Sequence, residues 1–335
     1  MSMLRPLGSL TAVSACLLGA CASSPTAVDY SGLHHPSLGA VDSVALGNTP
    51  FAVAISSGGV VYVTQAASGS VARADLPEQS FPVHVAVGPL PSQVRMSPDG
   101  RTAYVSNQDA GTITVVDVAT DRPIDTIALA PSILTLGLSA DGRRLYALTD
   151  YRGVYVIDAA TRTRIDSIAA TQTGAILTGV AFHPTLARMY ICARDAGTIT
   201  TIDTRTNVVL KTDTVTGARI QNLAVARDGS ELYATDIQRS GLLISPMEDG
   251  VTVGRLELLL GSGQVRNAFD VAVTPDNTQL YVSTLADGKV YVVDRVSRFG
   301  VAAIATGGSA RYIAFAVDGS RAVITNEMGW VNFIH

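Results

Sequence analysis

Short apolar–polar alternations separated by turn residues make up most of the chain after residue 40. In the stretch 93–107, Val94 and Met96 alternate with polar residues, Pro98-Asp99-Gly100 interrupts them, and Ala103-Tyr104-Val105 resumes the apolar run. This is the pattern of two antiparallel strands joined by a tight turn. The stretch therefore predicts the first two strands of a small antiparallel sheet.

The same unit recurs along the chain at intervals of 42 to 48 residues. One position in its second strand marks the copies: Tyr62, Tyr104, Tyr146, Tyr190, Tyr233, Tyr281 and Val323. A period of this length, with four short strands in each copy, is typical of a propeller blade. The pattern predicts an all-β, seven-bladed β-propeller with four-stranded antiparallel blades.

The last repeat ends after its third strand, at residues 330–335. The segment 41–46 (VDSVAL) resembles 124–129 (IDTIAL), which is the fourth strand of its own blade. An open ring would leave an apolar blade edge unpaired. We therefore expect an N-terminal strand to complete the last blade and residues 41–335 to form one domain.

Residues 62–64 (YVT), 104–107 (YVSN) and 281–284 (YVST) resemble the repeat of the YVTN family of β-propellers. The resemblance covers residues 41–335. That family is similar in fold to surface-layer propellers and to lactonases of the 6-phosphogluconolactonase type, and its members mostly lack an assigned reaction. The resemblance implies a fold and leaves the function open.

Residues 1–20 have a basic start and a short apolar run, as in a secretory signal peptide. The ending Leu18-Gly19-Ala20-Cys21 resembles the lipobox of bacterial lipoproteins, which implies cleavage before Cys21 and acylation of that cysteine. Ala22 in place of Asp implies the outer membrane in a Gram-negative cell, facing the periplasm or the cell surface. Residues 21–40 would then form the lipidated cysteine and a flexible tether.

Charge, cysteine and histidine content bear on which partners, disulfides and metal sites are expected. The formal net charge is −4 without a Lys/Arg cluster, which argues against nucleic-acid binding. After signal removal Cys192 is the one cysteine besides Cys21, so no internal disulfide is expected. His34-His35 has no Cys, Asp or Glu at ligand spacing nearby, so no metal site and no cofactor is predicted. We expect a monomer.

The first strand of each blade lies nearest the axis, and its small residues there are interrupted by Arg95 and His183. One step towards the channel mouth the residues become polar. The predicted ligand-binding residues are Gln93, Arg95, Asn222, Asp270, Arg311 and Tyr312. Two interpretations of Arg95 are open: it forms an ion pair with Asp270, or its planar guanidinium binds an anionic ligand through two parallel hydrogen bonds.

Three functions remain open on the sequence. The first is a lipid-anchored envelope protein that binds a small polar ligand or an envelope protein at the channel mouth. The second is a lactonase-like hydrolase that uses the same mouth, although His183 should lie too far from Asp270 to share a proton relay. The third is a purely structural envelope protein. No residue set identifies a catalytic group.

Overall fold

The computed structural model describes residues 30, 32–38, 41–76, 78–130, 132–253, 257–260 and 267–335. Its strands form seven antiparallel sheets, so the predicted seven-bladed propeller is confirmed. We name the strands of each blade A to D in sheet order. Strands A contact one another in sequence around the ring, and the first of them contacts both the second and the last, which closes the circle.

The strands are numbered in chain order, and successive strands belong to successive blades, except that the first strand belongs to the last blade. That strand is β1 (Val41–Ala45). Blades 1 to 3 contain β2 (Pro50–Ile55), β3 (Val60–Gln65), β4 (Ser70–Asp75), β5 (Val83–Ala86); β6 (Pro91–Met96), β7 (Thr102–Asn107), β8 (Thr112–Asp117), β9 (Arg122–Ala128); and β10 (Ile133–Leu138), β11 (Arg144–Thr149), β12 (Val154–Asp158), β13 (Thr163–Ile168).

The short helix α1 (Ala170–Thr173) precedes blade 4. Blades 4 and 5 contain β14 (Leu177–Phe182), β15 (Arg188–Ala193), β16 (Thr198–Asp203), β17 (Val208–Thr214); and β18 (Ile220–Val225), β19 (Glu231–Asp236), β20 (Gly241–Glu248), β21 (Val251–Thr252), β22 (Glu257–Leu260). Blades 6 and 7 contain β23 (Ala268–Val273), β24 (Gln279–Thr284), β25 (Lys289–Asp294), β26 (Gly300–Ala305); and β27 (Ala310–Phe315), β28 (Ala322–Asn326), β29 (Trp330–Ile334) with β1. In blade 5 the outer edge is divided, because β21 and β22 both pair with β20.

The predicted closing strand is confirmed. β1 pairs antiparallel with β29, from Val41 opposite Ile334 to Ala45 opposite Trp330. Side chains add to this pairing: Asn332 Nδ2 donates to Ser43 Oγ at 2.7 Å. The closing contact thus joins the two ends of the propeller without a covalent link.

The core lies between neighbouring blades. The repeated tyrosines of strands B are buried, and Val323 is fully buried in the corresponding place of blade 7. One cluster joins Tyr281 and Val292 of blade 6 to Ile313 and Ile324 of blade 7. Each blade therefore covers the apolar face of the next, which explains why the alternation pattern is uniform around the ring.

The turns between strands A and B use carboxylates as hydrogen-bond acceptors. Asp99 Oδ1 accepts from Ser97 Oγ at 2.5 Å and from the Arg101 amide at 3.1 Å. In blade 4 the His183 ring takes this role, since Nδ1 accepts from the amides of Thr185 and Leu186 at 3.2 and 3.0 Å. The unusual histidine is thereby explained by turn geometry.

The described residues of the predicted tether contact the face that carries these turns. The His34 amide donates to the Asp318 carbonyl at 3.0 Å, and His35 Nδ1 lies 2.6 Å from Asp276 Oδ2. Tyr30 and Leu33 line a cavity of about 560 Å³ on this face. Residues 1–20 and Cys21 lie outside the described residues, so the signal peptide and lipid anchor stay predictions. Within the described part of the chain, no helix has the length and hydropathy needed to span a bilayer.

Candidate ligand site at the channel mouth

A cavity of about 850 Å³ opens on the face opposite the strand A–B turns. Its wall combines the first residues of strands A with the loops that join strands B to C and strands D to A. We call it the mouth cavity. Its lining residues are Phe51, Ser92, Gln108, Leu134, Asp150, Ile176, Thr178, Arg194, Arg219, Gln221, Ile237, Gln238, Asn267, Phe269, Leu285, Arg311 and Tyr312.

Of the predicted ligand-binding residues, Arg311 and Tyr312 lie in this wall. Three other predicted residues, Gln93, Asn222 and Asp270, are buried and absent from the lining. The difference arises because the pairing of strands A and B shifts register at this position, for example between Pro91 and Gln93. Such a bulge changes which side chain faces the mouth.

The buried residues stabilise these bulges. The side-chain oxygens of Gln93 and Asn222 each accept from the amide of the following residue, at 3.1 and 2.9 Å. Asn222 Nδ2 in turn donates to Asp270 Oδ1 at 2.5 Å. These three side chains therefore form a polar layer beneath the mouth cavity that satisfies backbone groups released by the bulges.

Asp270 is the carboxylate of this layer, and three groups donate to it. Besides Asn222, the amides of Val271 and Ile313 donate to it, each at 2.9 Å. Its residue exposure is 5%. Burial raises the pKa of Asp270 to about 7, although the three donors and the positive charge of Arg95 act in the opposite direction.

Arg95 lies one residue pair deeper along the axis and is half-buried. Its Nη1 donates to Gln93 Oε1 at 2.9 Å and to the Val94 carbonyl at 3.1 Å. No ion pair within 4.0 Å joins Arg95 to Asp270 among the described side chains. Gln93, and not the carboxylate, thus contacts the guanidinium directly, and Arg95 acts on Asp270 through its charge alone.

The centre of the mouth wall is an arginine between aromatic rings. The Arg311 guanidinium carbon lies 4.4 Å from the ring centroid of Phe51 and 4.8 Å from that of Phe269. Phe269 also packs edge-on against Tyr312, with ring centroids 5.3 Å apart. Arg311 pairs with Glu327 through Nε and Nη2. Stacking and pairing together fix the guanidinium in one orientation.

Hydroxyl groups of neighbouring blades hold the backbone of this cluster. Thr235 Oγ1 donates to the Phe269 carbonyl at 2.9 Å, Ser283 Oγ donates to the Arg311 carbonyl, and Thr325 Oγ1 donates to the Phe51 carbonyl at 2.6 Å. Each hydroxyl also accepts a hydrogen bond from a backbone amide at the bulge of its own blade. The hydroxyl residue two positions after the recurring Tyr (Val323 in blade 7) of strand B therefore connects blades 5, 6, 7 and 1 and positions the mouth wall.

A second group of charges lies on blades 4 and 5. Asp195 Oδ1 accepts from Arg219 Nε and Nη2 at 3.0 and 2.7 Å and lies 3.3 Å from Arg194 Nε. One carboxylate thus serves two guanidinium groups. Because both arginines line the mouth cavity, this side of the wall carries an excess of positive charge.

The residues expected for a hydrolase are not assembled in one place. His183 is bound in a strand A–B turn, at the opposite end of strand A from the mouth, and burial lowers its pKa. Asp270 is enclosed by three donors. Among the described residues no group of three or more His, Cys, Asp or Glu side chains has the geometry to hold a metal ion.

Sequence reasoning did not identify Phe51, Phe269 and Arg219 as parts of the site. Phe51 and Phe269 each lie one residue before the strand A position that Gln93 and Asp270 occupy in their own blades, and Arg219 lies directly before β18, so a strict alternation count turns each of them away from the axis. The signal available in the sequence is a large side chain directly before this strand A position, at Phe51, Phe269 and Arg311. The bulge makes that position the wall of the mouth.

Comparisons with known proteins agree with this fold. The chain is 29% identical over 161 residues to the uncharacterized protein YncE of Salmonella typhimurium strain LT2, a match that covers 46% of this chain and 43% of that protein. The YncE protein of Salmonella typhi matches to the same extent. The aligned part is thus less than half the length of these relatives. It supports the resemblance to YVTN propellers, and no family model matches the chain.

Two solved structures share the whole architecture. The hydrazine synthase of Kuenenia stuttgartiensis superimposes with a TM-score of 0.78 at 18% identity, covering 87% of this chain and 97% of that one. The β-propeller domain of Cps50 (Swd1) from Myceliophteria thermophila superimposes with a TM-score of 0.75 at 13% identity, covering 88% of this chain and 99% of that one. At these identities the likeness shows the fold alone.

Proposed function

We propose that this protein is an exported, lipid-anchored binding protein of the cell envelope. Its mouth cavity would take a small anionic molecule or an acidic group of an envelope partner. Cys21 supplies the proposed anchor, as its lipobox-like context implies. A propeller with a polar, concave mouth is suited to such a role, since most ligand sites are clefts with a few fixed polar groups.

The paired guanidinium groups of Arg194 and Arg219 carry this proposal. They share one oxygen of Asp195, and both line the cavity. Arginine binds carboxylate and phosphate groups in a planar fork, which suits an anion placed between the two side chains. Arg311 lies in the same wall, where its aromatic neighbours fix it and Glu327 balances its charge.

Isothermal titration calorimetry at low salt tests the proposal with inorganic phosphate, acetate and succinate. The Arg194→Gln and Arg219→Gln variants should each weaken binding about tenfold, the loss expected for one charge-assisted hydrogen bond. Low salt is needed because ions screen partly exposed charges.

Arg122→Gln is the matched control. Arg122 is exposed on the outer strand β9, and its substitution removes the same charge far from the mouth. It should leave the affinity unchanged. The proposal fails if the wild-type protein binds none of these anions, or if Arg122→Gln weakens binding as much as Arg219→Gln does.

A further inference from the structure

Asp150 is the one carboxylate in the described wall of the mouth cavity. It is the first residue after β11, in the loop between strands B and C of blade 3. Its amide donates to the Ser132 carbonyl at 3.0 Å, which fixes the backbone. Its Oδ1 is shielded from solvent and has no hydrogen-bond partner among the described residues.

The two carboxylates that contact arginines of the mouth wall are already occupied. Asp195 binds Arg194 and Arg219, and Glu327 binds Arg311. No cation within 4.0 Å of Asp150 occurs among the described residues, although Arg194 belongs to the adjacent blade. A carboxylate oxygen that is shielded and unpaired is costly, and a donor supplied by a ligand would relieve that cost.

The charges of the wall are therefore separated. Blades 4 and 5 present two guanidinium groups against one carboxylate, which leaves a positive excess. Blade 3 presents an unpaired negative charge at Asp150. On blade 7 the charge of Arg311 is balanced by Glu327. A ligand that carries charges of both signs matches this arrangement better than a simple anion does.

We propose that the ligand of the mouth cavity is a zwitterion of the amino-acid type. Its anionic group would bind Arg194 and Arg219, and its ammonium group would donate to Asp150. This inference rests on the proposed anion-binding function and adds the second charge to it. Discrimination for the ammonium group would come from the unpaired carboxylate, because an analogue without it leaves Asp150 unsatisfied.

Calorimetry with matched pairs of compounds tests the inference. The zwitterions are glycine, β-alanine, γ-aminobutyrate and ε-aminohexanoate, and each is compared with the carboxylate of the same chain length that lacks the amine. The best zwitterion should bind the wild-type protein roughly tenfold or more tightly than its matched carboxylate. Asp150→Asn should abolish this advantage and leave the affinity for the carboxylate equal or higher.

Asp109→Asn is the matched control, because Asp109 is exposed in the corresponding loop of blade 2 and does not line the mouth cavity. It should preserve the advantage of the zwitterion. If Asp150→Asn does not fold, the wild-type comparison of zwitterion and carboxylate decides the question alone.

Equal affinities for zwitterion and carboxylate in the wild-type protein would overturn this inference and leave the anion site standing. An advantage that persists in Asp150→Asn would do the same. Failure of every carboxylate, phosphate and zwitterion to bind would overturn the inference and the proposed function together.

Discussion

Thr325 connects the closure of the ring to the mouth cavity, and its replacement by valine is the sharpest test of that connection. Thr325 Oγ1 accepts from the Tyr312 amide at 3.1 Å and donates to the Phe51 carbonyl at 2.6 Å. The residue is fully buried. Valine keeps the shape of the side chain and removes both hydrogen bonds.

The expected loss of stability follows from these two contacts. A buried amide without an acceptor costs about 1 to 3 kcal/mol, and the lost bond to the carbonyl adds about 1 kcal/mol. Thr325→Val should therefore reduce the free energy of unfolding by about 2 to 4 kcal/mol. Because Phe51 stacks on Arg311 and Tyr312 follows Arg311 in the mouth wall, the variant should also bind anions more weakly at temperatures where it remains folded.

Urea unfolding followed by circular dichroism measures the first effect, with Thr126→Val as control. Thr126 is exposed on β9, so its replacement should change the free energy by less than about 0.5 kcal/mol. If Thr325→Val is as stable as Thr126→Val, the hydroxyl does not connect blades 7 and 1 as described. Unchanged anion affinity in a destabilised variant would separate closure from the binding site.

The remaining predictions address the anchor, the closing strand and the buried carboxylate. Cys21→Ser should move the protein from the detergent phase to the aqueous phase on detergent partitioning; equal partitioning would refute the lipid anchor. Deletion through Leu46 should lower the melting temperature far more than deletion of residues 22–38, which removes the contacts of His35 but retains β1; equal melting temperatures would contradict the closure. Asp270 has its pKa raised from 3.8 to about 7, so the folded protein retains a proton that the unfolded chain loses, and wild-type stability should fall as the pH rises between these values. Denaturation of Asp270→Asn across that range should lack this component, and an unchanged slope would show that another group titrates.

Local pattern was sufficient to predict the blades because each repeat satisfies its own hydrogen bonds. The alternation around Val94 and Tyr104, the Asp99 turn and the recurring tyrosine all act within one sheet or between nearest neighbours. The closing strand was predictable for the same reason, since residues 41–46 copy the pattern of a fourth strand. The same strand and turn pattern occurs seven times in the chain, so each copy supports the interpretation of the others.

The site was less predictable because it depends on contacts between blades. The bulge that places Phe51 and Arg311 on the mouth wall is stabilised by hydroxyls such as that of Thr325. The alternation of apolar and polar residues does not indicate where such a bulge occurs. Counting by two therefore placed Gln93 in the wall and missed Phe269. The contacts of His35 with the opposite face likewise join residues 241 positions apart, which no local pattern encodes.

The central claim is that Arg194 and Arg219 form an anion site, and anomalous diffraction from crystals soaked in selenate tests it most directly. Selenate is a tetrahedral oxyanion like phosphate, and its selenium atom gives a peak in an anomalous difference map calculated with phases from the protein alone. We expect a selenium peak between Arg194 and Arg219 in the wild-type mouth cavity, and this peak should be lost in Arg219→Gln and retained in Arg122→Gln. An empty mouth cavity in wild-type crystals, or a peak there that persists in Arg219→Gln, would contradict the assignment of these arginines as the anion site.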